Sequence, residues 1–537
     1  MLETPLSSPL NRRGFLARAT SAALIGLTQK SCRTADPVIA APTTGTRRFG
    51  EPDPSQVLGM MPIARRPEAM LEVFLLGGLS PWETFYLVPE FGDPSRGGPY
   101  AGQQWWAFQG DGEHAVPAWW KSCMPGSGPM YVPYANDAAG VQVNLGPFLQ
   151  PLRDRPDLLK RMRVWVMRHD LEPHEFATPL AMTGQPQGSP RMAALGTHLS
   201  RYFEDRAPPG RTAPHSYSIS MSSFDVDNNG DAASAIGLHR GVSRPLAIRL
   251  GPESRLSTQL LRGNLEGFRQ PLDTLVKHWT DRARARLRSP GRLDDTRAPG
   301  LTDFAAARAA MVQHQDLQRL LPQSLLEAKM MTLCPGSVAE PVLDEVTTGM
   351  QLARSLLTDA TSPARYVQLL EGGLYTDPSG AGYDTHGTHI VKHAPNTVHM
   401  CRQLAAIINE PGEKDPRKLD LDRHFVLLNT EFGRTPYPEF TRANPNGNGT
   451  NHWPWGYVVV GFGGFIDEER SGIIGAIGED GYALSGFSPS AHRAAMMLAM
   501  GAWPFSDLAF AVGDVEGAAS ELEAALRIRE EILGYTS

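Results

Sequence analysis

The sequence predicts an α/β protein in which a largely buried β-sheet lies between two layers of helix. Three observations predict it. Five apolar runs of strand length recur between residues 70 and 461. Long stretches with helical spacing separate them, the pattern of a three-layer domain. The segments richest in acid, imidazole and guanidinium groups follow such runs or sit in turns, and open α/β sheets build their sites at the carboxyl ends of strands.

Taken in order, residues 41–68 are rich in Pro, Gly, Thr and Arg and read as a linker or a surface-hugging arm. Met70 to Leu76 is the first buried strand, stopped by Gly77-Gly78. Residues 86–150 scatter Trp105, Trp106, Trp119 and Trp120 among Gly and Pro. They read as a packed loop region, with a ligand platform as the other reading. Arg163 to Met167 is the second strand and runs into Arg168-His169-Asp170-Leu171-Glu172-Pro173-His174. Residues 255–360 read as a mostly helical insertion, and the arginines at 282, 284, 286 and 288 as its solvated face. Arg365 to Leu370, His424 to Asn429 and Tyr457 to Gly461 are further strands, with a short edge strand at Ile473 to Ile477. Helices are expected over Ile390 to Ile408, Ala491 to Met500 and Gly517 to Leu533. The expected organisation is a leader over 1–40, the arm over 41–68, and one domain over 69–537.

The leader has its own chemistry. Asn11-Arg12-Arg13-Gly14-Phe15-Leu16 precedes an apolar stretch from Ala19 to Leu27 and a small-residue region ending Ile39-Ala40-Ala41. That is the layout of a twin-arginine export signal, so the chain is expected in the periplasm or secreted. No run of 18 or more apolar residues follows, so the mature chain is expected to have no transmembrane segment. Residues 1–40 hold five basic and two acidic groups, and their removal takes the formal charge from −6 to −9. Such an acidic chain is a poor general binder of nucleic acid or anionic lipid. Of four cysteines, Cys32 lies in the leader; Cys123, Cys334 and Cys401 are widely spaced and read as buried thiols. A redox or cofactor-carrying role finds no dinucleotide glycine fingerprint, haem cysteine pair or iron–sulfur spacing.

Three short pieces carry the chemistry: Tyr383-Asp384-Thr385-His386-Gly387-Thr388-His389, Thr430-Glu431-Phe432-Gly433-Arg434-Thr435-Pro436, and Gly449-Thr450-Asn451-His452-Trp453. Asp-x-His puts two ligand-type side chains on one side of an extended segment, and His386 and His389 share a face if a helix begins there. Carboxylate with imidazole suits Zn²⁺, Mn²⁺ or Fe; Asp-Thr-His also makes good turn and cap hydrogen bonds. Arg434, after a strand and a glycine turn, either grips a tetrahedral anion in bidentate fashion or braces its loop on Glu431. His452 reads as a ligand on a glycine- and asparagine-rich loop.

With these pieces the chain resembles the exported bacterial proteins grouped as domain of unknown function 1501. That family's first motif, Gly-Gly-Pro-Ser-His-x-Asp-Thr-Phe-Asp, is matched by Gly77-Gly78-Leu79-Ser80-Pro81-Trp82-Glu83-Thr84-Phe85-Tyr86. A His and a Thr-Gly after a strand are matched by His174 and Thr183-Gly184, and Asp-Thr-His by 384–386. Glu-Phe-Gly-Arg-Thr-Pro is matched without change by 431–436, and Asp-His-Trp by 451–453. The family looks like a branch of the alkaline phosphatase and sulfatase superfamily. The resemblance implies an alkaline-phosphatase-like mixed sheet flanked by helices, and hydrolysis of a small anionic phosphate or sulfate ester with a divalent metal (Zn, Mn, Ca or Mg). It implies Ser80 as nucleophile, Arg434 as anion binder, and Glu83, His174, Asp384, His386, Glu431 and His452 as metal ligands. Pro81, Glu83, Tyr86 and Asn451 depart from the pattern, and an amide in place of a carboxylate weakens a hard-cation ligand. The competing expectation is therefore a degenerate relative that serves as a binding or assembly module with an envelope protein partner.

Overall fold

The apolar runs become strands whose side chains alternate between two separate cores, the signature of a sheet covered on both faces. The computed structural model describes residues 48–537 except 94, 96–105, 110–113, 190, 192, 209–212, 221–244, 250–328 (save 274–275, 278–279 and 282), 333, 335–339, 343, 375–381, 441–444, 507–508 and 537. The main strands are β1 (Ala69–Leu75), β2 (Met162–Met167), β3 (Ser216–Ser220), β4 (Leu246–Arg249), β5 (Tyr366–Glu371), β6 (His424–Asn429), β7 (Tyr457–Gly463) and β8 (Gly472–Ile474). They form one eight-stranded sheet in the order β8-β2-β7-β6-β1-β5-β3-β4. β7 runs antiparallel to both its neighbours, β6 and β2, and the other pairings are parallel. The fold is thus mixed α/β, and the carboxyl ends of β1, β2, β5 and β6 open on the same edge as the start of β7.

The helices are α1 (Val116–Cys123), α2 (His174–Thr183), α3 (Leu195–Glu204), α4 (Glu345–Leu357), α5 (His389–Ile407), α6 (Pro489–Ala499) and α7 (Glu521–Arg527). Leu71, Val73 and Leu75 of β1 pack in one core with Val346 and Met350 of α4 and Met400 and Leu404 of α5. Met70, together with Phe425 and Leu427 of β6, packs in the other with Leu199 of α3 and Ala494 to Leu498 of α6. α6 is also held by a buried ion pair: Arg493 Nη1 donates to Glu72 Oε2 at 2.8 Å, and Tyr366 Oη and Asn429 Nδ2 donate to the same carboxylate. Burial pushes the Glu72 carboxyl up, but Arg493 outweighs it and holds the group below its usual range.

The sequence reading and the structure agree on β1, β2, β5, β6, β7, the edge strand, α5, α6 and α7, within a residue or a few at each end. Three features differ. The arm is anchored from residue 48: Trp503 N–H donates to Gly50 O at 2.8 Å, Gly50 N–H to Ser506 Oγ at 3.0 Å, and Phe49 lies in a core. Cys123 and Cys334 are not free thiols but a disulfide, which corrects the reading above; Cys401 is free and buried. The fold brings together two residues 211 positions apart, and spacing along the chain carries no trace of that. Trp119 and Trp120 are packed as expected, behind α5, but on a helix, α1, and not in a loop. Residues 1–47, and nearly all of the 255–328 part of the expected 255–360 insertion, lie outside the described residues. Among the described residues no helix is long and apolar enough to cross a membrane.

Candidate metal centre

Three glycine-assisted loops converge at the carboxyl edge of the sheet. After β1 the chain turns through Gly77, whose φ of +110° favours glycine. A Cβ there would lie 2.2 Å from the backbone N of Asp384, so this position also needs the absence of a side chain. Gly449 plays the same part on the far side, since its Cβ would meet His386 O at 1.8 Å. The third loop follows β6 and forms a two-residue antiparallel pairing with the segment entering β7, Gly433 opposite Trp453 and Arg434 opposite His452. The sequence motifs are therefore neighbours in space.

Asp384 is the centre of what they build. Its Oδ1 accepts from Arg434 Nη1 at 2.9 Å and lies 3.1 Å from His386 Nε2 and 3.5 Å from His452 Nε2. Its Oδ2 lies 3.5 Å from His174 Nε2. One ligand-type atom each from His174, Asp384 and His452 lies within 4.8 Å of the others, the one such group among the described residues. His386 Nε2 stands 3.0 Å from His452 Nε2.

Each imidazole has an oxygen behind it. His174 Nδ1 faces Glu431 Oε1 at 2.9 Å, His386 Nδ1 faces Glu439 Oε2 at 2.8 Å, and His452 Nδ1 donates to the Glu172 carbonyl at 2.8 Å. A carbonyl only accepts, so His452 Nδ1 carries the hydrogen and the neutral ring turns an Nε2 lone pair towards Asp384. An oxygen behind the ring, fixing tautomer and orientation, is the usual outer support of a metal-ligating histidine. The donor set therefore suits a divalent cation, which His174, Asp384 and His452, with His386 beside them, would hold. Electrostatics follow from the crowding. Burial alone would raise Asp384, but the three imidazoles and Arg434 hold it well below the usual carboxylate range. Burial would lower His174, but Asp384 and Glu431 raise it to about 9. Asp384 raises His386 against the effect of burial, and burial lowers His452.

The remaining expected site residues stand elsewhere. Glu431 supports from behind: its Oε1 also accepts the Gly77 N–H at 2.7 Å, tying the loop after β1 to His174. Arg434 is completely buried and its donors are used internally. Besides Asp384 they reach Gly77 O at 3.0 Å, Thr450 Oγ1 at 3.0 Å and Thr450 O at 2.5 Å. It braces all three loops, with Asp384 rather than Glu431 as its carboxylate. Ser80 is buried and donates to Glu83 Oε2 at 2.5 Å. The same Glu83 oxygen lies 3.3 Å from His389 Nε2, close enough for attraction but without hydrogen-bond alignment. His389, the first residue of α5, is turned away from His386: its Nδ1 meets Thr385 Oγ1 at 2.7 Å and its ring stacks on His393.

Two departures from the motif pattern have local roles. The Tyr86 hydroxyl donates to Asp137 and accepts the Ile477 N–H. Asn451 Oδ1 accepts the His452 N–H at 2.8 Å. Glu439 and the Glu172 carbonyl were not legible from sequence, because an acid in a Pro-rich loop looks like solvated surface and a backbone carbonyl has no sequence signature. No curated protein and no solved structure matches the chain. Residues 272–508, which hold Asp384, His386, Glu431, Arg434, Glu439 and His452, match the family model described as a protein of unknown function (DUF1501), and this supports the resemblance read from those motifs.

Proposed function

We propose that this chain is an exported, metal-dependent hydrolase of the alkaline phosphatase and sulfatase type, acting on a phosphate or sulfate ester. The observation that carries the reading is the convergence of His174, Asp384 and His452, with His386 beside them, at the carboxyl edge of a mostly parallel sheet. A bound cation would supply charge stabilisation and an activated nucleophile. The protein's own part is preorganisation. Glu431, Glu439 and the Glu172 carbonyl hold three rings in place, and Arg434 fixes the Asp384 carboxylate while locking the loops together. The Cys123–Cys334 disulfide supports export, since such bonds persist in oxidising compartments.

A second reading, a non-catalytic envelope module, draws on Ser80 and Arg434. A nucleophile with no exposure and a guanidinium committed to internal acceptors serve architecture better than turnover. Metal analysis of protein folded in cells, followed by a screen of phosphate and sulfate esters, separates the two. The hydrolase reading expects about one divalent metal ion per chain and turnover that His386→Ala abolishes. Metal-free protein that gains no activity with Zn²⁺, Mn²⁺, Mg²⁺ or Ca²⁺ would leave only the module.

A further inference from the structure

One residue past His452 the chain enters an aromatic group. Trp453, the residue after His452, is a buried ring whose indole N–H donates to Gly481 O at 2.7 Å. Three more rings radiate from it: Tyr437 at 5.6 Å and 82°, Trp455 at 4.8 Å and 77°, and Tyr482 at 4.9 Å and 72°. The first lies three residues beyond Arg434; the last comes from the short hairpin after β8. Tyr437 is 37% and Tyr482 43% exposed, and Trp455 is half-buried. The hydroxyls of Tyr437 and Tyr482 and the indole N–H of Trp455 make no hydrogen bond among the described residues. Tyr437 also stands near the exposed carboxylate of Glu172, whose carbonyl supports His452.

Packing alone does not require this arrangement. A core aromatic cluster satisfies its polar tips; here one buried wedge carries three part-exposed rings, and although Trp455 and Tyr482 lean on each other at 5.7 Å and 32°, their polar ends stay open. A purely apolar guest would leave those donors and Glu172 unanswered, at a cost in affinity. A sugar ring has the matching chemistry: an apolar C–H face to lie on an aromatic ring, and hydroxyls around its edge. We propose that Tyr437, Trp455 and Tyr482, set around Trp453, form a subsite for a sugar ring. On the reading of the metal centre given above, on which this part rests, the ring carries the phosphate or sulfate group presented to Asp384 and its histidines.

The test uses the full chain as purified, with Mn²⁺ or Zn²⁺ added, and follows binding by calorimetry and tryptophan fluorescence. Glucose 6-phosphate and N-acetylglucosamine 6-phosphate are compared with glycerol 1-phosphate and inorganic phosphate, which offer the anion without the ring. At least one sugar phosphate should bind about tenfold more tightly than the ringless probes and change the fluorescence. Tyr482→Ala and Tyr437→Ala should bring it to within about twofold of inorganic phosphate, with metal content and phosphate binding unchanged; Tyr482→Phe should retain most of the preference. Equal binding of all four probes overturns the subsite. Tighter binding of 4-nitrophenyl phosphate than of either sugar phosphate overturns the sugar assignment in favour of a flat aromatic ring. Failure of the metal reading shows separately, as no binding of inorganic phosphate. The subsite is then judged on cellotetraose: binding that Tyr482→Ala removes upholds it, and no binding overturns it.

Discussion

Two groups of histidines lie on either side of the Asp384–His389 loop, and they solve burial in opposite ways. His174, His386 and His452 each rest one nitrogen on an oxygen and turn the other towards a shared carboxylate. His389 and His393 are completely buried, stacked on each other at 4.9 Å, and edged by Trp106, Phe148 and Tyr383. Neither ring nitrogen of His393 has a partner among the described residues, and burial with the neighbouring His389 pushes its pKa well down, so it packs as a neutral aromatic. The same residue type three to seven positions away along the chain, His386 against His389 and His393, is thus a converging donor in one place and core filling in the other. The difference lies in whether a ring nitrogen reaches Asp384: His389 rests on Thr385 Oγ1 beside Glu83, and His393 is packed among aromatic rings.

Replacing the shared carboxylate should break the first group most completely. Asp384→Ala removes the point on which three rings converge and leaves the buried Arg434 without its carboxylate. Stranding a buried charge costs roughly 3–5 kcal/mol, so urea unfolding should shift by that order and bound metal should vanish. Stoichiometric metal in this variant would end the assignment of the centre.

Exchanging one histidine from each group sharpens the contrast. His452→Ala should lose metal while unfolding within about 1 kcal/mol of the parent, since the ring lies at a partly open surface. His389→Ala should do the reverse, keeping its metal but losing about 2 kcal/mol or more through the cavity it leaves. If both variants lost metal equally, His389 and Glu83 would belong to the centre and the two groups would be one. A smaller effect is expected one layer out. Glu439→Gln keeps the shape and removes the charge behind His386, and supports of this kind are worth about 10–100-fold in metal affinity. An unchanged affinity in competition with a chelator would show that His386 needs no such support.

The first group was half legible in the sequence. Asp384, His386 and His452 stood out because acid and imidazole lay beside glycine in short motifs, and the strands leading to them were unbroken apolar runs. Those runs were readable because both faces of the sheet are buried. β3 was not, since Ser216, Ser218 and Ser220 interrupt it although all of it is buried. The partition between ligand and support was beyond sequence. Glu83 and Glu431 look alike as acids near glycine, yet one meets Ser80 and His389 and the other lies behind His174. Exposure was equally hidden, and it is exposure that recasts Ser80 and Arg434.

The smallest effect tests whether the two groups are independent, because α5 carries the buried pair at its start and a separate carboxylate–imidazole contact two turns on. Asp344 caps α4 by accepting the Thr347 N–H at 2.9 Å and faces His399 Nε2 of α5 at 2.9 Å. Burial pushes the Asp344 carboxyl up, but His399 and Thr347 outweigh it and hold the group below its usual range. A depressed folded-state pKa gives a contribution fully present above the unfolded value of about 3.9, and lost as pH falls through the folded one. Asp344→Asn should therefore flatten the stability profile only below about pH 4 and leave it parallel to the parent above. The acid slope assigned to Asp344 should be the same before and after metal is stripped with a chelator. A slope that changed with metal would mean that α5 transmits the state of the centre along its length, and the two groups of histidines would have to be described as one coupled unit.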